Sequence, residues 1–347
     1  MTVPTKPLVL TMGEPAGIGG EITLKAWRAE RDKGAAFFVV DDAQRLIKVA
    51  RNLGFDIPIE EISEPDEATT IFRRALPVLS HPLPRAVRPG IPHCANAEAV
   101  CTSISRAVSA VLENKATAVV TNPIHKKTLA DAGFPHPGHT EYLAELTGAE
   151  LPVMMLACPG LRVVPITIHV PLKEAIAQLS AQAIIDAGRI TAQALITDFA
   201  ISSPRLAVAG LNPHAGEQGM LGSEEQDIII PAVNQLRQDG LAVTGPAPAD
   251  TLFHDHARER YDAVLCMYHD QALIPLKTVD FHHGVDITLG LPIVRTSPDH
   301  GTAFEIAGSG TARATSLLAA LHLAHSMAET RARAQAPSAG KRVIGGN

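Results

Sequence analysis

The sequence predicts an α/β fold, a sheet of buried strands covered by helices on its faces. Three observations predict it. Short runs rich in Val and Ile, too brief for helices, alternate along the chain with helical apolar patterns. Hydrophobic residues make up 46% and charged residues 19%, a core-forming balance rather than a disordered one. The 347 residues make about two units of roughly 150 each.

The first strand is predicted at Leu8 to Thr11, followed by Gly13-Glu-Pro-Ala-Gly17-Ile-Gly19-Gly20, which opens a helix. Its glycines do not have the GxGxxG offsets, so an ordinary dinucleotide fold is not predicted. The loop reads equally well as a tight strand-to-helix turn. A second strand is expected at Phe37 to Val40. The Pro-rich stretch Ala75 to Pro92 reads as a long connection packed on the first lobe. Ser103 to Lys115 has helical spacing at Ile104, Ala107, Val108 and Val111, and leads into a strand at Ala116 to Thr121.

Further strands are expected at Val163 to His169, Arg205 to Leu211 and Ala263 to Tyr268. Between them, Ser180 caps a helix over Ala181 to Asp198, and a helix over Glu224 to Asp239 carries acids in its first turn and stops at Gly240. The last helix is expected from about Ala314 to Arg333, before a frayed polar tail, Ala336 to Asn347.

The net charge of −6 and 4% aromatic content argue against nucleic-acid binding. No apolar run reaches the roughly 20 residues of a membrane helix. The N-terminus, MTVPTKPLVLTMGEP, has neither a basic n-region nor an apolar h-region, so a cytoplasmic location is expected. Cys94, Cys101, Cys158 and Cys266 form no CxxC pair and read as reduced packing residues.

The chemistry is expected at strand ends. Four predicted strands deliver a histidine at or just past their carboxyl end: His125, His169, His214 and His269. Any one of them reads as a histidine capping a loop, but four at equivalent ends point to a ligand crevice. His169, His214 and His269 suit a divalent metal with open coordination positions. His322 and His325, one turn apart on the last helix, read as structural. Gly138-His139-Thr140-Glu141 opens a helix and offers an anion site through free N–H groups, a hydroxyl and an imidazole. Further on, Lys277 and Arg295, in apolar, Gly/Pro-punctuated context and flanking a histidine-rich segment, read as partners for a carboxylate and a phosphate.

The segments MGEPAGIGGEI, TNPIHK, GHTEYLAELTG, TIHVPL, GLNPHAGE, ADTLFH, MYHDQALIPLK and GVDITLGLPIVRTSPDHGTAFEIAG occur in this order from about residue 8 to 330. Together they resemble the 4-hydroxythreonine-4-phosphate dehydrogenase (PdxA) family of vitamin B6 biosynthesis. The resemblance implies a two-lobed α/β/α fold like that of the isocitrate and isopropylmalate dehydrogenases, with the active-site cleft between the lobes. Residues 1–135 plus 285–347 would form the nucleotide lobe, and residues 136–284 the metal, substrate and dimer lobe. It implies NAD or NADP and one divalent ion per site (zinc, cobalt or magnesium) on His169, His214 and His269. Substrate contacts fall on His139, Thr140, Lys277, Asp286 and Arg295, and nucleotide contacts on His300 and Gly301. The catalytic roles fall on Lys277, as anion partner or acid/base group, and on Asp250 and Asp270 as orienting carboxylates. The implied substrate is a small phosphorylated hydroxy-amino acid, oxidised at C3 and then decarboxylated. A homodimer is implied, with the site at its interface.

One residue departs from that pattern: Asp286 stands where the family usually has Asn. A carboxylate there would repel a substrate phosphate unless Lys277 or Arg295 neutralises it. Alternatives are a related dehydrogenase acting on erythronate 4-phosphate or a dihydrodiol dicarboxylate, or a non-catalytic metal- or anion-binding protein.

Overall fold

The computed structural model describes residues 6–335. The chain forms one 12-stranded mixed sheet in the order β3-β4-β2-β1-β5-β12-β11-β6-β7-β10-β8-β9. The strands are β1 (Leu8–Thr11), β2 (Phe37–Asp41), β3 (Ile59–Ile62), β4 (Leu76–Ser80), β5 (Val119–Val120) and β6 (Val153–Cys158). They continue as β7 (Leu161–Pro165), β8 (Arg205–Ala209), β9 (Ala242–Ala247), β10 (Ala263–Cys266), β11 (Val285–Leu289) and β12 (Arg295–Pro298). The helices are α1 (Gly19–Glu30), α2 (Ala43–Asn52), α3 (Ala68–Ile71), α4 (Ala97–Leu112), α5 (Lys126–Asp131) and α6 (His139–Thr147). After them come α7 (Leu172–Gln178), α8 (Ala181–Thr197), α9 (Ile230–Gln238), α10 (Asp255–Arg258), α11 (His269–Val279) and α12 (Thr315–Gln335). Among the described residues no helix is long and apolar enough to cross a membrane.

The middle of the sheet reverses direction. The pairs β12–β11, β11–β6 and β6–β7 are antiparallel, while β1, β2, β4, β3, β5 and β12 form one parallel set and β7, β10, β8 and β9 another. Three reversals leave the two sets pointing opposite ways. The carboxyl end of β5, which precedes His125, is therefore at the opposite edge from those of β7, β10 and β8. The expected row of four equivalent ends is corrected to three, on neighbouring strands, leading to His169, His269 and His214.

Side-chain alternation explains how this sheet leaves room for a site. Leu8 and Leu10 face a core that continues across the whole sheet, through Val120, Ile287, Met155 and Leu265 to Leu206, and includes Leu317 of α12. On the other face the core is divided. One cluster holds Val9, Phe38, Val119, Ile104 and Leu143, and a second holds Leu156, Val163, Ala207, Cys266 and Leu276. Between them β11 and β12 present Asp286, Thr288, Arg295 and Ser297. The sheet is closed by core below and open above its centre.

Local chemistry accounts for most element ends. Ser180 Oγ accepts from Ala183 N (3.2 Å), which starts α8, and Asp42 accepts from Arg45 N (2.9 Å), which starts α2. Ser103 of α4 joins two strands to the helix: its hydroxyl donates to Val40 O and accepts from Met12 N. The expected helix over Glu224 to Asp239 opens instead as a π-turn, Glu225–Ile229, before α9. Pro231, in the first turn of α9, has no N–H to give and crowds the preceding carbonyls, which favours the wider turn.

The connection expected over Ala75 to Pro92 is also corrected at its start, because Leu76–Ser80 pairs on both sides, with β3 and β2. Pro77 hides this strand in the sequence. It lies before the β2 pairing begins at Val78, so its missing N–H leaves that ladder intact. The expected polar tail, residues 336–347, lies outside the described residues.

Candidate functional site

A cavity of about 500 Å³ lies over the sheet centre, in the gap between the two clusters. Its floor is an ion pair. Arg295, only 2% exposed, donates from Nη1 to Asp286 Oδ2 and to Thr288 Oγ1, both at 2.9 Å. Nε and Nη2 donate to Thr121 Oγ1 at 3.2 and 2.7 Å. A guanidinium has five N–H donors, so four of them are already committed to the protein. Ser297 Oγ also donates to Asp286 Oδ2, at 3.3 Å. Arg295 is thus the cation that balances the Asp286 carboxylate.

One wall is the start of α6. Its N-cap is Gly138 rather than a hydroxyl residue, and no side chain caps it, so the first-turn N–H groups are open. Pro137, Gly138, His139, Thr140 and Glu141 line the cavity there, together with Lys126 from the segment after β5. His139 is half-buried, with its Nε2 closed to solvent, and its imidazole is held well below its usual range by desolvation first and then by the charges of Arg295 and Lys126. It is uncharged at neutral pH and can donate one ring N–H.

The opposite wall comes from the segment after β7 and from α11. His169 and His269 face each other with ring centroids 5.7 Å apart. Burial lowers the His169 pKa, helped by Lys126 and His269, which keeps it in the neutral form a metal requires. His269 Nδ1 lies 2.7 Å from Asp270 Oδ1, so Asp270 fixes the tautomer whose Nε2 carries the free lone pair. The backbone at His169 is left-handed, with φ 31°, an outlier of the kind that collects at functional sites. Lys277 Nζ lies 3.1 Å from Asp299 Oδ2. Burial raises the Asp299 pKa, against the lowering effect of Lys277.

Among the described residues, six buried side-chain polar atoms have no hydrogen-bond partner, and three of them belong to residues lining this cavity: His139 Nε2, Asp286 Oδ1 and His300 Nε2. Buried polar groups are nearly always paired, so such a cluster marks where a ligand would supply partners.

The cavity therefore brings together His139, Thr140, His169, His269, Lys277, Asp286, Arg295, His300 and Gly301. His214 and Asp250 are not among its lining residues. Asp250 is exposed, in the turn Ala249–Thr251. His214 is exposed, in the turn Pro213–Gly219, where five successive residues from His214 to Gln218 have left-handed φ. Glu225, buried, holds the base of that turn: its carboxylate accepts from Leu211 N and Asn212 N at 2.7 Å and from Asn212 Nδ2 at 2.9 Å. Among the described residues of one chain, no group of three or more His, Cys, Asp or Glu could hold a metal ion.

Sequence reasoning missed Thr121, Lys126, Ser297 and Asp299 as lining residues. The signal available for the first two was their place directly around the strand end before His125.

Comparison with known proteins gives a consistent result. The sequence pattern of a family described as pyridoxal phosphate biosynthetic protein PdxA matches residues 33–324. A 4-hydroxythreonine-4-phosphate dehydrogenase from Caulobacter vibrioides is 53% identical over 333 residues, covering 94% of this chain and 99% of that protein. The crystal structure of a 4-hydroxythreonine-4-phosphate dehydrogenase from Klebsiella pneumoniae superposes with a TM-score of 0.85 at 38% identity, covering 93% of this chain and 100% of that one. A terephthalate 1,2-cis-dihydrodiol dehydrogenase from Burkholderia xenovorans is less similar: TM-score 0.63, 29% identity, 93% and 98% covered.

Proposed function

This chain belongs to the PdxA family of pyridoxal phosphate biosynthetic proteins, and we propose that it oxidises 4-phosphooxy-L-threonine at C3 with NAD or NADP. The 3-keto acid then loses carbon dioxide to give 3-amino-2-oxopropyl phosphate. One observation carries this reading: a single cavity joins an anion cradle at α6 to the facing His169 and His269 rings and the Lys277–Asp299 pair.

The phosphooxy group is bound at the open first turn of α6, by its N–H groups, the Thr140 hydroxyl, a ring N–H of His139 and the Lys126 ammonium. Arg295, with one donor left, contributes mainly by setting the charge of the floor. His169 and His269 fit a divalent ion: both can present neutral imidazole nitrogen, a donor that suits zinc or cobalt better than magnesium. His214, exposed on its left-handed turn, would be the third ligand, supplied by a second copy of the chain in a homodimer. The unpartnered His300 Nε2 and the space beside Gly301, where an added Cβ would meet nothing within 4 Å, fit one end of a dinucleotide. When bound, the ion would polarise the C3 hydroxyl as a Lewis acid and the dinucleotide would accept the hydride.

Lys277 and Asp299 form the proton-transfer pair. They take the hydroxyl proton as the C3 carbonyl forms, and they return a proton to C2 once the carboxylate has left as carbon dioxide. Asp270 keeps the His269 ring oriented. Of the described residues, 6–135 with 285–335 act as the nucleotide lobe and 136–284 as the metal and dimer lobe, in a cytoplasmic enzyme.

The test is NAD(P)H formation from 4-phosphooxy-L-threonine with and without a chelator, with erythronate 4-phosphate in parallel. Chelator-sensitive turnover of the threonine derivative is expected. Turnover of erythronate 4-phosphate alone would replace the substrate, and turnover that a chelator leaves intact would overturn the metal assignment.

A further inference from the structure

We propose that Asp286 supplies the counter-charge for the α-ammonium group of the substrate, and that this contact lets the site distinguish an amino acid phosphate from its deaminated counterpart. The inference rests on the oxidation of 4-phosphooxy-L-threonine proposed above.

The two oxygens of Asp286 are in different situations. Oδ2 is held by Arg295 Nη1 at 2.9 Å and Ser297 Oγ at 3.3 Å. Oδ1 is buried and has no hydrogen-bond partner. The other hydrogen bonds of Arg295 go to Thr288 and Thr121, and none reaches that oxygen. A carboxylate oxygen can only accept, so a ligand must bring a donor to it.

The substrate's own groups narrow the choice. Its phosphooxy oxygens and its carboxylate are acceptors, and its C3 hydroxyl gives up its proton in the reaction. Only the ammonium, with three N–H donors and a positive charge, keeps a donor for Oδ1 throughout. The position agrees. Asp286 lines the same cavity as the facing His169 and His269 rings and the Lys277–Asp299 pair. C2, which bears the ammonium and adjoins the reacting carbon, belongs there. An Asn side chain would keep an acceptor for Arg295 and Ser297 but would lose the charge.

The experiment compares wild type with Asp286→Asn on two substrates, 4-phosphooxy-L-threonine and 3-hydroxy-4-phosphooxybutanoate, the same acid without its amino group. The readout is the ratio of the two kcat/KM values, which cancels any common effect of the variant on folding or on Arg295. The ratio is expected to fall by about tenfold to a hundredfold, the usual worth of a charged hydrogen bond. A ratio unchanged in Asp286→Asn, while wild type turns over the amino substrate, overturns the inference alone. Failure of wild type to oxidise either compound overturns the functional reading and the inference with it.

Discussion

Replacing Arg295 with Met keeps much of the side-chain length and removes the guanidinium that forms the floor of the cavity. In wild type that group makes four hydrogen bonds from a position 2% exposed. In R295M, Asp286 Oδ2 keeps only the long contact from Ser297 Oγ at 3.3 Å. Its carboxylate, with 19% of the side chain exposed, loses its guanidinium partner in a largely desolvated place. Breaking a buried ion pair from one side costs about 3–5 kcal/mol, because the surviving charge is stranded. Partial exposure of Asp286 points to the lower end, about 3 kcal/mol, within a total stability of about 5–15 kcal/mol for a typical protein. Urea unfolding followed by circular dichroism would show the loss as a lower midpoint with an unchanged slope. Adding Asp286→Asn to R295M removes the stranded charge and should restore about 1–2 kcal/mol, as coupled neighbours do. A stability of R295M equal to wild type, or no recovery in the double variant, would refute the reasoning.

The remaining predictions concern the imidazoles and the His214 turn. The His139 pKa is held well below 6.5 in the folded chain, so between its folded value and 6.5 the unfolded chain binds a proton that the folded chain does not. Stability should therefore fall as pH drops through about 6.5, with a slope from this group of at most about 1.4 kcal/mol per pH unit. His169, shifted the same way, adds to the effect. Urea midpoints measured between about pH 7.5 and 5.5 should show a shallower dependence in His139→Gln. Truncating Glu225 to Ala leaves the N–H groups of Leu211 and Asn212 without their acceptor. Their hydrogen exchange should accelerate by at least about tenfold, which corresponds to about 1.4 kcal/mol, while the amides within β8 keep their protection. Unchanged exchange would mean that the carboxylate does not hold the turn.

Much of this architecture was legible because buried parallel strands leave a local trace. The apolar runs at β1, β2, β8 and β10 fall where the sequence predicts them, and the Ser180 cap starts α8 at Ala181 as expected. The reversal at β11 and β6 left no such trace, since strand direction is decided by which neighbour accepts each N–H and not by residue type. The cavity floor was half legible. Arg295 stood out as a charge in an apolar segment and Asp286 as the departure from the family pattern, but whether Lys277 or Arg295 pairs with that carboxylate depends on a cross-strand alternation that becomes visible only once β11 and β12 lie side by side. Lys126 enters from the start of α5 and Asp299 from the segment after β12, placements that composition does not fix. His214 was conspicuous as a residue, yet its position follows from a left-handed turn and a buried glutamate 11 residues further on, a combination without a sequence signature.

The central claim is that His169 and His269 hold a divalent ion completed by a histidine from a second copy of the chain. The most direct test is anomalous diffraction from crystals grown with cobalt or zinc. The account predicts a peak about 2.0–2.1 Å from a ring nitrogen of His169 and of His269, with the partner subunit's His214 at a similar distance. A peak at other residues, or none at these two histidines with the metal in excess, would contradict it.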